Sequence, residues 1–311
     1  MPQASSSRAR DLGVLALVTI VPIWGYSWVV TKVGLRYCGP FAFVSLVTVL
    51  CIAVLVVVAL ATHRPLRPPP LGWTVAVGVL QTSLFNGLAT LALSIGGAGK
   101  VSVLAYTMPF WLLLLAWPLL GERLRGLQWP AVALALAGLV LVVRPWQIGG
   151  ALPGVLACAA GLCWAGSALA VKLLQRKTPV DPLCLTAWQM AFGVVPLLAI
   201  ALLTHGPWPQ WTAQFVGALA YGVLLANAVC WALWVYALRR LPAYAAGMGT
   251  LAVPVLGVAS AWLQLGEVPT LVEGIGMALI IAALAVLAVI GLVASRRPSP
   301  ASAPDPGPLR P

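Results

Sequence analysis

Residues 109–122 read Pro109-Phe110-Trp111-Leu112-Leu113-Leu114-Leu115-Ala116-Trp117-Pro118-Leu119-Leu120-Gly121-Glu122. The chain then reads, 145 residues further on, Pro254-Val255-Leu256-Gly257-Val258-Ala259-Ser260-Ala261-Trp262-Leu263-Gln264-Leu265-Gly266-Glu267. Pro, Ala, Trp, Leu, Gly and Glu match in order. Apolar segments coincide by chance through Leu and Ala, but rarely through Pro, Trp and Gly-Glu in register, so the match marks an internal repeat. A second set agrees: Trp24, Ser27 and Lys32 recur as Trp164, Ser167 and Lys172, 140 residues later.

Working outward, a membrane-spanning helix needs roughly 20 apolar residues. Apolar runs predict spans at 12–33, 41–61, 72–93, 100–120 and 127–143 in the first half. The second half predicts 151–174, 183–203, 213–238, 243–264 and 270–293. Cys38-Gly39-Pro40, His63 to Pro70, Gly96-Gly97-Ala98-Gly99 and Gly121-Glu122-Arg123 punctuate the first half. Five spans per half is odd, so the second half enters the membrane from the opposite side. That is an inverted repeat, an architecture from which alternating access arises in secondary transporters. The expected fold is an all-α membrane protein of ten transmembrane helices, two inverted five-helix repeats around a central cavity. The repeats are expected at 12–145 and 146–295, with a cytoplasmic tail at 1–11 and a Pro-rich, disordered tail at 296–311.

Composition agrees. Of 311 residues, 61% are hydrophobic and 8% charged, against about a quarter charged in a soluble domain. The net charge of +12 does not imply nucleic acid, whose binding modules cluster Lys and Arg on one soluble face. Here the basic residues sit between apolar runs. With the N-terminus inside, inner segments hold Arg8/Arg10, Arg64/Arg67, Arg123/Arg125, Lys172/Arg176/Lys177, Arg239/Arg240 and Arg296/Arg297; outer segments hold only Lys32, Arg36, Lys100 and Arg144. The positive-inside rule then puts both termini in the cytoplasm of a multi-pass inner-membrane protein. The first apolar run lacks a small-residue cleavage site and reads as an uncleaved helix.

The motifs Ile23-Trp24-Gly25-Tyr26-Ser27-Trp28, Thr107-Met108-Pro109-Phe110 and Leu120-Gly121-Glu122-Arg123, with Pro254 and Leu265-Gly266-Glu267 in the second half, resemble the EamA-type members of the drug/metabolite transporter superfamily. The resemblance covers residues 12–293. It implies ten helices, cytoplasmic termini and a central cavity shared by the halves, moving amino acids, related metabolites or drugs, often outward. The second span departs from the family in carrying Leu46-Val47 where Arg often follows Leu.

Several chemistries are excluded. No GxxxxGK[ST] loop occurs, so the chain does not itself use ATP. The two histidines, His63 and His205, lie in predicted loops, and the six cysteines show no metal-ligand or CxxC spacing. No metal, cofactor or enzymatic activity is expected. None of the six acids falls at the middle of a predicted span, where a proton-coupled carrier usually keeps a titratable group. Facilitated diffusion and proton antiport both stay open. Glu122 and Glu267 end the fourth and ninth spans, as proton or gating sites or as helix-end residues paired with backbone.

Pro109 and Pro254 fall near mid-span. Each removes a donor to the carbonyl four residues earlier, which suits either a hinge facing a cavity or a static kink. Trp24, Trp164 and Trp231 lie deep, as do Gln81, Asn86, Tyr106 and Asn227. Buried amides must find partners, so these residues either join helices or face a wet cavity. We expect a substrate cavity lined by Trp24, Gln81, Asn86, Tyr106, Trp164, Asn227 and Trp231, flanked by Pro109 and Pro254. Lys32 and Lys172 either attract a carboxylate at a cavity mouth or snorkel to headgroups. Small residues spaced by four, at Ala133/Ala137, Ala278/Ala282 and Ala157/Gly161/Ala165, permit close helix packing. The expected function is secondary transport, by export, of a small organic solute such as an amino acid or related metabolite. The rivals are a drug or sugar-nucleotide carrier, a membrane scaffold or sensor, and an intramembrane enzyme.

Overall fold

The computed structural model describes residues 2–64, 66–108, 110–112, 114–115, 126–143, 151–240, 250 and 252–296. Among them there are helices and connecting turns, and no strand. In chain order the helices are α1 (Pro2–Gly34), α2 (Pro40–Ala61), α3 (Leu71–Ile95), α4 (Ala98–Ala105), α5 (Gln128–Val143), α6 (Leu152–Lys177) and α7 (Pro182–Leu203). The last three are α8 (Ala213–Ala220, Tyr221–Val229 and Cys230–Arg240, continuous), α9 (Ala252–Leu265) and α10 (Leu271–Arg296). Six of these are long and apolar enough to cross a membrane among the described residues, and Trp129–Val142, Ala252–Leu265 and Leu271–Ala283 are shorter apolar stretches. α1 begins ahead of its expected span, and α4 is interrupted at Tyr106 and Thr107 before helical backbone resumes at Met108.

Both α2 and α7 start with proline at the first positions, where the missing N–H costs nothing. Both end alike: the Thr62 and Thr204 hydroxyls donate to carbonyls four residues back at 2.7 and 2.8 Å, and His63 and His205 follow at positive φ. The two helices run antiparallel. At one end Arg64 pairs with Asp181 at 2.7 Å, while Asp181 also accepts from the Leu183 and Cys184 N–H groups that open α7. At the other, Gly39 N–H donates to Pro207 O and Gln210 N–H to Tyr37 O. We call these the Arg64 end and the Gly39 end.

The same opposition recurs in other pairs. α4 and α9 cross where a Cβ on Gly99 would touch Val258 and one on Gly257 would meet Ser102 Oγ at 2.7 Å. α5 and α10 cross at Gly138 and Gly276, where an added Cβ on either would lie within 2.8 Å of the other's carbonyl. Glycine permits that approach because hydrocarbon supplies no hydrophobic drive, and close backbone packing must hold the helices. The Ala133/Ala137 and Ala278/Ala282 stripes point outward instead, whereas Ala157 and Ala165 are buried and Gly161 lies against the carbonyls of Leu104 and Ala105.

Two long helices carry a π-helical segment at mid-length: Gly78–Phe85 in α3 and Tyr221–Val229 in α8. The wider turn shows in the Asn86 and Cys230 N–H groups, which reach the carbonyls of Gln81 and Leu225, five residues back. Such widenings are rare and frequent at functional sites.

Candidate functional site

Between these segments lies a cavity of about 140 Å³. α1 presents Trp24, Ser27, Trp28 and Thr31, successive turns of one face; α3 likewise presents Asn86, Ala89, Thr90 and Leu93. Tyr106 enters from the break in α4, Trp164 from α6, and Ala226, Asn227 and Trp231 from α8. The break places irregular backbone where it lines a cavity, the setting in which a membrane protein tolerates it. There the Thr107 carbonyl accepts from the Phe110 N–H at 2.9 Å, and the Thr107 hydroxyl donates to Leu104 O at 2.6 Å.

The rings form two clusters. Trp24 meets Trp231 edge-on, centroids 5.5 Å apart, and Trp234 at 5.9 Å. Trp164 meets Phe85 at 5.0 Å and Tyr106 edge-on at 5.3 Å. Edge-on and tilted pairs at these distances are the arrangement ring quadrupoles favour. Trp24 Nε1 donates to the Ala226 carbonyl at 2.9 Å, inside the π-helical segment of α8, and Asn227 Nδ2 donates to Gly222 O at 2.7 Å.

The cavity has a direction. It runs from the Trp24 level to Thr31, Phe43 and Leu93, within about a turn of the helix ends at the Gly39 end. Seven residues of α1 make this roughly 10 Å. On the Arg64 side of Trp24 the space is filled: Leu17, Ile20, Cys230 and Ala237 are buried and pack with Trp234.

Six of the seven residues expected from sequence meet at this cavity: Trp24, Asn86, Tyr106, Trp164, Asn227 and Trp231. Gln81 does not line it; buried between α3 and α6, its Oε1 accepts from Ser167 Oγ at 3.0 Å. Pro109 and Glu122 lie outside the described residues. Pro254 stands in the first turn of α9 as described, where no helical bond is lost, and the Thr250 carbonyl accepts from Val253 N–H at 3.0 Å. Glu267 pairs with backbone: Gly266, at φ 69°, turns the chain at the end of α9, and the carboxylate then accepts from Gly99 N–H at 3.3 Å, at the start of α4. Lys32 turns inward, donating to Leu93 O at 2.6 Å and Gly96 O at 2.7 Å, the last carbonyls of α3. A cation at a helix C-terminus and an anion at an N-terminus both suit the helix dipole. Lys172 has no partner among the described residues. Among those residues, no group of His, Cys, Asp or Glu is placed to hold a metal.

The contribution of α2, through Phe43, Val44, Val47 and Thr48, was not expected. Its polar signal in the sequence is limited to Ser45 and Thr48 in an otherwise apolar run. Trp28 and Thr31 carried a clearer signal, lying four and seven residues after Trp24 on the same helical face.

The model of the EamA-like transporter family matches the chain twice, over residues 11–144 and again over 152–289. The chain belongs to this family. As an EamA-like transporter it is a multi-pass membrane protein that handles a small molecule. It is 28% identical over 261 residues to the "Uncharacterized transporter YoaV" of Bacillus subtilis, covering 82% of this chain and 89% of that one. It is 28% identical to the "Probable amino-acid metabolite efflux pump" of Escherichia coli, covering 89% and 94%. A crystal structure superposes with a TM-score of 0.64 at 21% identity, covering 91% of this chain and 98% of the other, which shows the shared fold.

Proposed function

We propose that this EamA-like transporter moves a small organic solute, such as an amino acid or related metabolite, out of the cell by alternating access. The observation that carries the reading is the aromatic cavity at mid-depth, continued toward one end and packed shut toward the other. Several features support two inverted halves of five spans each, 12–145 and 146–295. The family model matches twice, the helix pairs α2/α7, α4/α9 and α5/α10 oppose one another, and α3 and α8 carry π-helical segments at corresponding places. Such halves exchange roles by rocking about a site at their interface. The charges Arg64, Arg67, Arg176 and Lys177 gather at the Arg64 end, which the positive-inside rule assigns to the cytoplasm of an inner membrane, with both termini on that side. The Gly39 end then faces out, and the conformation described is the outward one. The relative named as an amino-acid metabolite efflux pump favours export and that solute class.

Reconstitution tests this. Proteoliposomes loaded with candidate solutes, with and without a pH gradient, should show counterflow. Trp24→Ala and Trp164→Ala should reduce it by about fivefold or more at matched insertion, from loss of an aromatic contact of on the order of 1 kcal/mol. Trp208→Ala, at an exposed loop position, should not. Equal activity in all three variants would refute the site.

A further inference from the structure

The cavity's chemistry narrows the solute. We infer that it is a net-neutral molecule with a single aromatic ring and one hydrogen-bonding end, an inference that rests on the cavity being the substrate site.

Charge comes first. Among the described residues lining the cavity there is no Asp, Glu, Lys, Arg or His. Of the ions at that end, Lys32 is bonded to two carbonyls of α3 and Glu267 to the N–H of Gly99, while Arg36 is exposed outside the cavity lining. A net charge brought into such a site loses water and gains no counter-charge, which is prohibitive. A zwitterion carries its own. A sugar nucleotide, with its diphosphate, does not fit.

Shape is next. The floor is built of rings from five helices: Trp24, Phe85, Tyr106, Trp164 and Trp231. The tilted and edge-on faces they present accept a further ring in the geometry ring pairs prefer. A volume of about 140 Å³ is close to that of the engineered cavity, about 150 Å³, that takes up benzene. It has room for one six-membered ring on the floor, and the cavity continues toward the Gly39 end.

Hydrogen bonding completes the reading. Four polar side chains of the cavity are already engaged within the protein: Ser27 with Trp24 O, Thr48 with Val44 O, Asn227 with Gly222 O, and Trp24 with Ala226 O. Seven others have no hydrogen-bond partner among the described residues. The Tyr106 hydroxyl and the Nε1 groups of Trp164 and Trp231 belong to the ring floor, and Trp28 lies one turn beyond Trp24 on α1. Thr31, Asn86 and Thr90 stand beyond the floor toward the Gly39 end, Asn86 and Thr90 one turn apart on α3. Uncommitted donors and acceptors in a hydrocarbon-embedded protein are costly unless a ligand or water meets them. Their arrangement suits a ring resting on the floor with its polar end directed outward, toward Thr31, Asn86 and Thr90.

The test is equilibrium binding to the full-length protein in nanodiscs. L-phenylalanine and nicotinamide serve as net-neutral single-ring probes; L-leucine, L-glutamate, L-lysine and riboflavin are the comparators. At least one ring probe should bind saturably and roughly tenfold or more tighter than leucine, about the 1.4 kcal/mol an aromatic contact supplies. Trp164→Ala and the volume-matched Asn86→Leu should each weaken that binding by about tenfold. Trp208→Ala should leave it unchanged. Saturable binding of neither ring probe overturns the inference. So does a charged or three-ring probe binding as tightly, or wild-type affinity in a monodisperse Asn86→Leu protein. Counterflow on the same preparation separates the two readings. Selective ring binding without counterflow leaves the ligand class standing and removes transport. Counterflow of leucine or glutamate alone does the reverse.

Discussion

The two repeat-related lysines offer a sharp test of how the halves differ in this conformation. Lys32 and Lys172 occupy matching positions in the sequence repeat, and both are half-buried. If each merely snorkelled, replacing either by methionine would cost the same. Instead Lys32 Nζ sits 2.6 Å from Leu93 O and 2.7 Å from Gly96 O, closing the C-terminus of α3. Hydrogen bonds to a charged group contribute about 1.5–3 kcal/mol each, and a cation at a helix C-terminus about 0.3–1 kcal/mol more. Water can reach the freed carbonyls and methionine keeps the aliphatic stem packed, so the net loss for Lys32→Met is about 1–3 kcal/mol. At about 2–4 °C per kcal/mol for a chain of a few hundred residues, the midpoint of thermal unfolding should fall by roughly 2–12 °C. Lys172→Met should shift it by less than about 1 °C. The assay is thermal unfolding of both variants in one detergent, read by loss of the monodisperse peak. Equal shifts, or no shift for Lys32→Met, would refute the reasoning.

Other outcomes follow from single contacts. Gly193→Ala places a methyl against the Gly78 carbonyl and the Thr82 Cβ at the α3–α7 crossing, and should cost about 1–3 kcal/mol, seen as a lowered unfolding midpoint; wild-type stability would show that these helices do not cross so closely. Glu267→Gln keeps an oxygen to accept from Gly99 N–H, so solute exchange should persist at about half the wild-type rate or better; complete loss in stable, inserted protein would promote this acid to the mechanism. Gln210→Cys, in the exposed loop after α7, should label with an impermeant maleimide on intact cells. Native Cys38 should stay silent, because it is buried and burial pushes its thiol up to about 11. Labelling at position 210 only after permeabilisation would invert the proposed orientation.

How much of this was legible in the sequence depended on what each residue type announces. Tryptophan, tyrosine and asparagine deep in apolar runs stand out, and six such residues do meet at the cavity. Depth alone does not give direction around a helix, so Gln81 was placed at the cavity while its side chain faces α6. The π-helical segments have no sequence signature; they shift the register of α3 and α8 by part of a turn, and only backbone geometry shows them. The α2 wall was hidden because Phe43, Val44 and Val47 sit in an aliphatic run with no polar face to set a period. The Leu-Gly-Glu motif was visible, but its reason is local backbone: Gly266 adopts the left-handed turn that closes α9, and the next residue is thereby carried to the start of α4.

The shut half of the molecule carries its own polar inventory, and this bears on how it opens. Ser27 lines the cavity, and its repeat partner Ser167 lies on the closed side, bonded to Gln81. Beside them Gln81 Nε2 and Thr82 Oγ1 are buried without a partner among the described residues, and Gln189 is 5% exposed. An orphaned buried donor costs about 1–3 kcal/mol. A carrier with a single resting state has no use for that expense. Under alternating access, the rocking that closes the Gly39 side opens the space between α3, α6 and α7, and water then reaches these groups. On the proposed mechanism their cost in the outward state would be relieved in the inward one, narrowing the gap between the two states toward the few kcal/mol at which a solute's differential binding can shift the population. Gln81 Nε2 and Thr82 Oγ1 are thus placed where an inward-facing cavity would need them, whereas Ser45 Oγ, likewise buried without a partner among the described residues, lies on α2 nearer the Gly39 end.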